Sequence, residues 1–155
     1  MPPPRPDQNA VPGTRNAELD RRQRAIADEL ALGDWMLTFQ HVVEQGDTIG
    51  LDGDDKTDDR LVRGCQSKVW LKTWAEPADG GDRFRLMADS EAAIVKGLAA
   101  LLVRVFDGLP PADAAGAELW FARESELSEH LSPNRANGLA AMTAQIRGEA
   151  ARLAA

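Results

Sequence analysis

Hydrophobic positions divide the chain into blocks of different period. From Asn16, Leu19, Ile26, Leu30 and Leu32 recur at roughly helical spacing up to Gly33, which reads as the glycine closing the helix. Asp34 then stands where an N-cap belongs, and Trp35, Phe39, Val42 and Val43 form the apolar face of a second helix that stops at Gly46. Periodicity vanishes in the acidic stretch GDTIGLDGDDKTDDR, Gly46 to Arg60. It returns with a period of two at Lys68 to Trp74, where Val69, Leu71 and Thr73 share one face and Trp70, Lys72 and Trp74 the other. After the turn EPADGGD, Phe84, Leu86 and Ala88 alternate in the same way, which predicts a hairpin. Leu61 and Val62 add a short third strand to this expected sheet.

Asp89 or Ser90 is expected to cap a third helix whose buried face is broad: Ala93, Ile94, Gly97, Leu98, Leu101, Leu102, Val105 and Phe106. Gly108 ends it, and Pro110 and Pro111 bar continuation. Short helical pieces follow between Ala112 and Glu129, carrying Leu119, Trp120, Phe121 and Leu127. A last helix opens with Ser132 as N-cap and Pro133 at its first position, then runs through Leu139, Met142, Ile146 and Leu153. The expected class is α+β, a small three-stranded antiparallel sheet packed by the helices that flank it in sequence.

With 155 residues, 43% of them hydrophobic, the chain suffices for one core and not for two. Residues 1–14 are rich in proline and polar side chains and read as a disordered tail, leaving 15–155 as a single domain. The formal charge of -7 with no lysine-arginine stripe argues against nucleic acid as a partner, and an anionic membrane surface would repel the chain. The longest apolar run, Ala92 to Phe106, is broken by Lys96 and Arg104 and is too short to span a bilayer. MPPPRPDQNAVPG contains no apolar signal-peptide core, and one cysteine cannot build an internal disulfide framework; both fit a cytoplasmic protein.

Most catalytic inventories are absent. There is neither GxGxxG nor a P-loop, and His41 and His130 lack metal-site spacing and read as ordinary surface or boundary residues. The acidic stretch resembles a calcium loop only at its start. Lys56 stands where a third oxygen ligand belongs, Thr57 replaces the required glycine, and no glutamate closes the loop, so it reads as a solvated, flexible segment with no metal. Glu44, Asp89 and Glu91 read as helix-end carboxylates.

The candidate that survives is Cys65, in RGCQSKVW, on a loop just before a strand. Its reactivity would require a nearby cation or hydrogen-bond donor, because an ordinary thiol is only a few per cent thiolate at neutral pH. Arg63, Gln66 and Ser67 are the neighbours available. Residue chemistry alone leaves two readings open, a reactive thiol and an inert small hydrophobe.

Three separated segments, GCQSKVWL, ADSEAAIVKGLAALL and HLSPNRANGLAAM, resemble in order and spacing the SufE family of sulfur acceptors. The helix containing DWMLTFQHVVEQG is also similar to that family's, so the likeness covers essentially everything after the tail. The resemblance implies a SufE/IscU-like fold and a place in iron-sulfur cluster biogenesis. It implies that Cys65 accepts sulfur as a persulfide from a group II cysteine desulfurase of the SufS/CsdA type, stimulates it, and passes the sulfur to a SufB-like scaffold or another acceptor. Pyridoxal phosphate would belong to the desulfurase, with no cofactor bound here. Gly64 would serve as hinge and Gln66 and Ser67 as polar collar, with Trp70 or nearby aliphatics sheltering the thiol. Arg135 matches the family arginine near the cysteine loop, and Glu91 falls at the edge of the implied partner surface.

A first-turn arginine also runs against helix electrostatics, which independently favours an anionic partner for Arg135. Departures from the family pattern are Asn134 for a usual serine, His41 at a commonly aromatic position, and the acidic loop. A cluster scaffold would need several thiolates, and this chain has one. A noncatalytic regulator of the desulfurase and a peroxide-sensing thiol stay as rival readings; the latter would have no second cysteine to resolve a sulfenic acid.

Overall fold

The computed structural model describes residues 16–155; the expected proline-rich tail lies outside them. α1 (Ala17–Leu30) begins at Asn16, whose side chain accepts from the Leu19 N–H, and α2 (Trp35–Gln45) begins at Asp34, which accepts from Met36 and Leu37. α1 stops at Leu30, earlier than its apolar spacing suggests. The turn through Gly33, at φ +73°, then carries Leu32 outward, so Leu32 is exposed rather than part of the buried face. Val43 is likewise exposed, while Val42 is wholly buried. Thr38 ties the two helices by donating to the Leu30 carbonyl at 3.0 Å.

The sheet has two strands, not three. β1 (Val69–Glu76) pairs antiparallel with β2 (Arg83–Ser90), Leu71 opposite Ala88 and Thr73 opposite Leu86. The expected third strand at Leu61 and Val62 shrinks to one bridge between Leu61 and Trp70, because Gly64, at φ +90°, turns the chain away two residues later. The outer edge of β2 is taken by the segment after the third helix. Phe84 donates to Leu109 and accepts from Gly108, both at 2.7 Å, and Asp107 accepts from the Leu86 N–H and the Arg85 guanidinium.

α3 (Ala93–Phe106) is the central element, with eleven of its fourteen residues buried. A helix apolar nearly all round must be covered on all sides. α1, α2, α7 and β2 all pack against it. Neither Asp89 nor Ser90 caps it in the expected way. Both complete β2, Ala92 is the N-cap residue, and only the Ser90 hydroxyl reaches in, accepting from the Ala92 N–H at 3.3 Å. α4 (Pro111–Ala115), α5 (Phe121–Glu124) and α6 (Leu127–His130) follow, and α7 (Pro133–Ala154) runs 22 residues along the molecule.

The acidic stretch departs from expectation too. It folds into short 3₁₀ turns at Gly53–Asp55 and Asp58–Arg60 that lie on the sheet's outer face. Asp55 pairs with Lys72 at 3.2 Å, and Lys56 sits 5.4 Å from the Trp70 ring centroid and 3.1 Å from Asp89. Burial would raise the Asp89 carboxyl, but the Leu51 N–H, Lys56, the Ser90 N–H and Lys96 outweigh it and hold the group below the usual carboxylate range. Asp89 is therefore a tether for the loop rather than a helix cap. No helix among the described residues is long and apolar enough to cross a membrane.

Candidate functional site: the Cys65 pocket

Cys65 lies on the segment between the Leu61 bridge and β1, half-buried at the edge of a pocket of about 390 Å³. Gly64 turns the chain at this point, and a side chain there would meet the Ala141 methyl at 3.4 Å. The thiol donates to the Gly138 carbonyl on α7 at 3.5 Å. Gly138 is buried directly against it, and a Cβ there would stand in ordinary van der Waals contact with Sγ, at 3.5 Å.

One wall of the pocket is apolar, formed by Ala92, Ile94 and Val95 at the start of α3. The other is the N-terminus of α7, where the Ser132 hydroxyl accepts from the Arg135 N–H at 3.3 Å and Pro133 needs no partner. Arg135 is the one charged side chain lining the pocket. It is exposed, forms no ion pair among the described residues, and lies 5.8 Å from the Phe39 ring centroid. Phe39 meets Trp35 edge-on at 4.3 Å, and Trp35 stacks on His130 at 4.2 Å, so the aromatic face of α2 buttresses the approach to α7.

The structure brings Cys65, Gln66, Ser67 and Arg135 together around one pocket. Gln66 is held by Asn134, whose amide donates to Oε1 at 3.0 Å. Glu91 is exposed at the bend before Ala92 and does not itself line the pocket. Arg63 and Trp70 also lie outside it. Trp70 is buried on the outer face of the sheet, and the shelter beside the thiol comes from α3 aliphatics instead. Burial pushes the Cys65 thiol above its ordinary value, with no cation among the described residues drawing it down. His41 pairs with Glu29 at 3.1 Å, and neither histidine lines the pocket. Among the described residues no three His, Cys, Asp or Glu side chains cluster as metal ligands would. Sequence reading places Ile94 on a buried helix face but assigns neither it nor Val95, Gly138 or Gln145 to the site, and nothing in their spacing marks them for it.

A family model described as SufE, Fe-S metabolism associated domain, matches residues 23–150. The chain belongs to the SufE family. Its role therefore lies in Fe-S metabolism. The fold is also that of the solution structure of a hypothetical protein from Thermus thermophilus, with a TM-score of 0.65 at 21% identity over 88% of this chain and 95% of that one. All of the SufE chain's pocket residues fall within the matched span.

Proposed function

We propose that this SufE protein is a sulfur carrier, accepting a persulfide sulfur on Cys65 from a group II cysteine desulfurase. The observation that carries the proposal is that the chain's single thiol lines a partly apolar pocket, on a segment turned by Gly64, with Arg135 as the pocket's one charge. In the forward step Cys65 loses its proton to solvent and its thiolate attacks the terminal sulfur of the desulfurase persulfide. The new Sγ–S bond forms as the donor's S–S bond breaks, and the donor cysteine leaves as thiolate and takes up a proton. A neutral sulfur atom moves, so no external oxidant or reductant is consumed.

Each neighbour has a part in this reading. The pocket has room for a second sulfur, and Ala92, Ile94 and Val95 keep water from the loaded persulfide. Arg135 would offset the charge of a persulfide anion, which ionises more readily than a thiol. Glu91, exposed beside the pocket, marks the rim that meets the desulfurase. Pyridoxal phosphate stays on the desulfurase, and the cargo passes to a SufB-like scaffold or another thiol acceptor. The desulfurase turns over faster because its persulfide is drained.

A second reading, a regulator that docks without carrying sulfur, draws on the absence of any cation lowering the thiol's pKa. The two separate when the protein is incubated with a desulfurase and free cysteine and weighed intact. The carrier gains the mass of one sulfur atom, and Cys65→Ser gains none and no longer accelerates the desulfurase. Acceleration that persists in Cys65→Ser overturns the carrier and leaves the regulator.

A further inference from the structure

The segment Leu61–Gln66 lies along one stripe of α7. Asn134, Gly138, Ala141 and Gln145 follow at i, i+4, i+7 and i+11, which places them on one helix face. Each faces the cysteine segment. Asn134 holds Gln66, Gly138 accepts from Cys65, and Ala141 faces Gly64. Gln145 brackets Val62: its Oε1 accepts from the Arg63 N–H at 3.4 Å, and its Nε2 donates to the Leu61 carbonyl at 3.5 Å.

That bracket has a physical reason. The Val62 N–H points to β1, where it donates to the Val69 carbonyl at 2.9 Å. In an extended chain the polar groups of neighbouring residues alternate in direction, so the Leu61 carbonyl and Arg63 N–H face away from the sheet. Left there they would be an unpaired strand edge. The Gln145 carboxamide offers both a donor and an acceptor and engages the pair, as a peptide unit of an adjoining strand would.

We infer that Gln145 is a positioning residue for Cys65: its carboxamide clamps the backbone ahead of the thiol and, with Asn134 at the far end, straps the cysteine segment along α7. The biological use of the strap rests on the carrier reading above; the strap itself does not. Its two contacts to Gln145 are long for N–H···O bonds, at 3.4 and 3.5 Å, so the strap is releasable there. Release at Gln145 lets the segment swing about Gly64 and delivers the thiol outward without unfolding β1.

The test is the rate at which iodoacetamide modifies Cys65 in the full chain, followed by intact mass. Gln145→Ala is expected to react about three- to tenfold faster, the weight of one or two modest hydrogen bonds. Gln145→Glu keeps the acceptor for Arg63 and loses the donor for Leu61, so its rate falls between the two. Arg147→Ala is the matched control: it removes a 3.4 Å bond from the same helix to the Ala115 carbonyl and leaves the rate unchanged. An unaltered rate in Gln145→Ala, or an equal rise in Arg147→Ala, overturns the strap. Where Gln145→Ala lacks a cooperative thermal transition, Asn134→Ala takes its place, with faster modification expected and an unchanged rate decisive against. Strap-dependent modification in a protein that never gains sulfur removes the carrier and keeps the strap; sulfur gain with modification indifferent to Gln145 does the reverse.

Discussion

At the level of single residues the centre of interest is a thiol held in its neutral form. Its S–H donates to the Gly138 carbonyl, an interaction available only while the proton is present. Ionisation places a thiolate against a carbonyl oxygen among the side chains of Ile94 and Val95, which favours movement of the cysteine outward. Arg135, the charged side chain lining the pocket, does not offset this, and burial raises the thiol. The alkylation rate of native Cys65 against pH should therefore have a higher midpoint than that of the urea-unfolded chain, where an ordinary thiol titrates near about 8.5. The linked effect on stability has a definite sign. Because the folded state holds the proton more tightly, the contribution is fully present below the unfolded value and is lost as pH rises through the raised folded one. Urea midpoints of wild type should fall in that alkaline window relative to Cys65→Ser. Coincident curves would mean that the thiol is effectively solvated.

Elements are where sequence pattern and structure part company most instructively. Helix starts were legible because their caps are local: Asn16, Asp34 and Ser132 each bond an N–H two or three residues on. The third strand was not, since an apolar pair says nothing about whether an edge continues, and here Gly64 and the Gln145 carboxamide end it. Asp89 and Ser90 looked like caps because they precede a helix. The strand instead runs through both, and Asp89 meets loop and helix lysines at 3.1 and 3.4 Å. The sequence marks Gly97 only as one position in a broad apolar face, but its missing side chain is what sets the α2–α3 crossing. A Cβ there would lie 2.1 Å from the Val42 carbonyl oxygen. Backbone cannot yield as a flexible side chain can, so Gly97→Ala is expected to cost about 3 kcal/mol or more in urea unfolding. A loss below about 1 kcal/mol would show that the helices slide apart easily.

Across the whole molecule, the strongest unforeseen contact is made by Gln23. It is wholly buried on the core face of α1, where its Oε1 accepts from the backbone N–H groups of Trp120 and Phe121 at 2.7 and 3.1 Å, and its Nε2 donates to Glu118 at 3.0 Å. One amide thus completes the backbone hydrogen bonding of a segment nearly a hundred residues away. Gln23→Ala leaves two buried donors and an acceptor without partners and is expected to destabilise by about 3–5 kcal/mol, read from denaturant midpoints. Gln23→Glu, retaining the acceptor, should recover part of that. Nothing in helical spacing marks this glutamine, since a polar residue on an apolar stripe looks like an interruption until its partners are placed.

Residue order sufficed for the kind and succession of the main elements, the setting of Cys65 between a flexible glycine and a strand, and membership in a family, because caps, periods and motifs are written in residues close together along the chain. What surrounds the thiol and holds its segment was settled only by the folded arrangement. Gly138, Asn134 and Gln145 come from α7, some seventy to eighty residues on, and Ile94 and Val95 from α3. Such contacts depend on how helices cross and where an edge ends, and those are set by packing across the core, which leaves no period in the sequence to read.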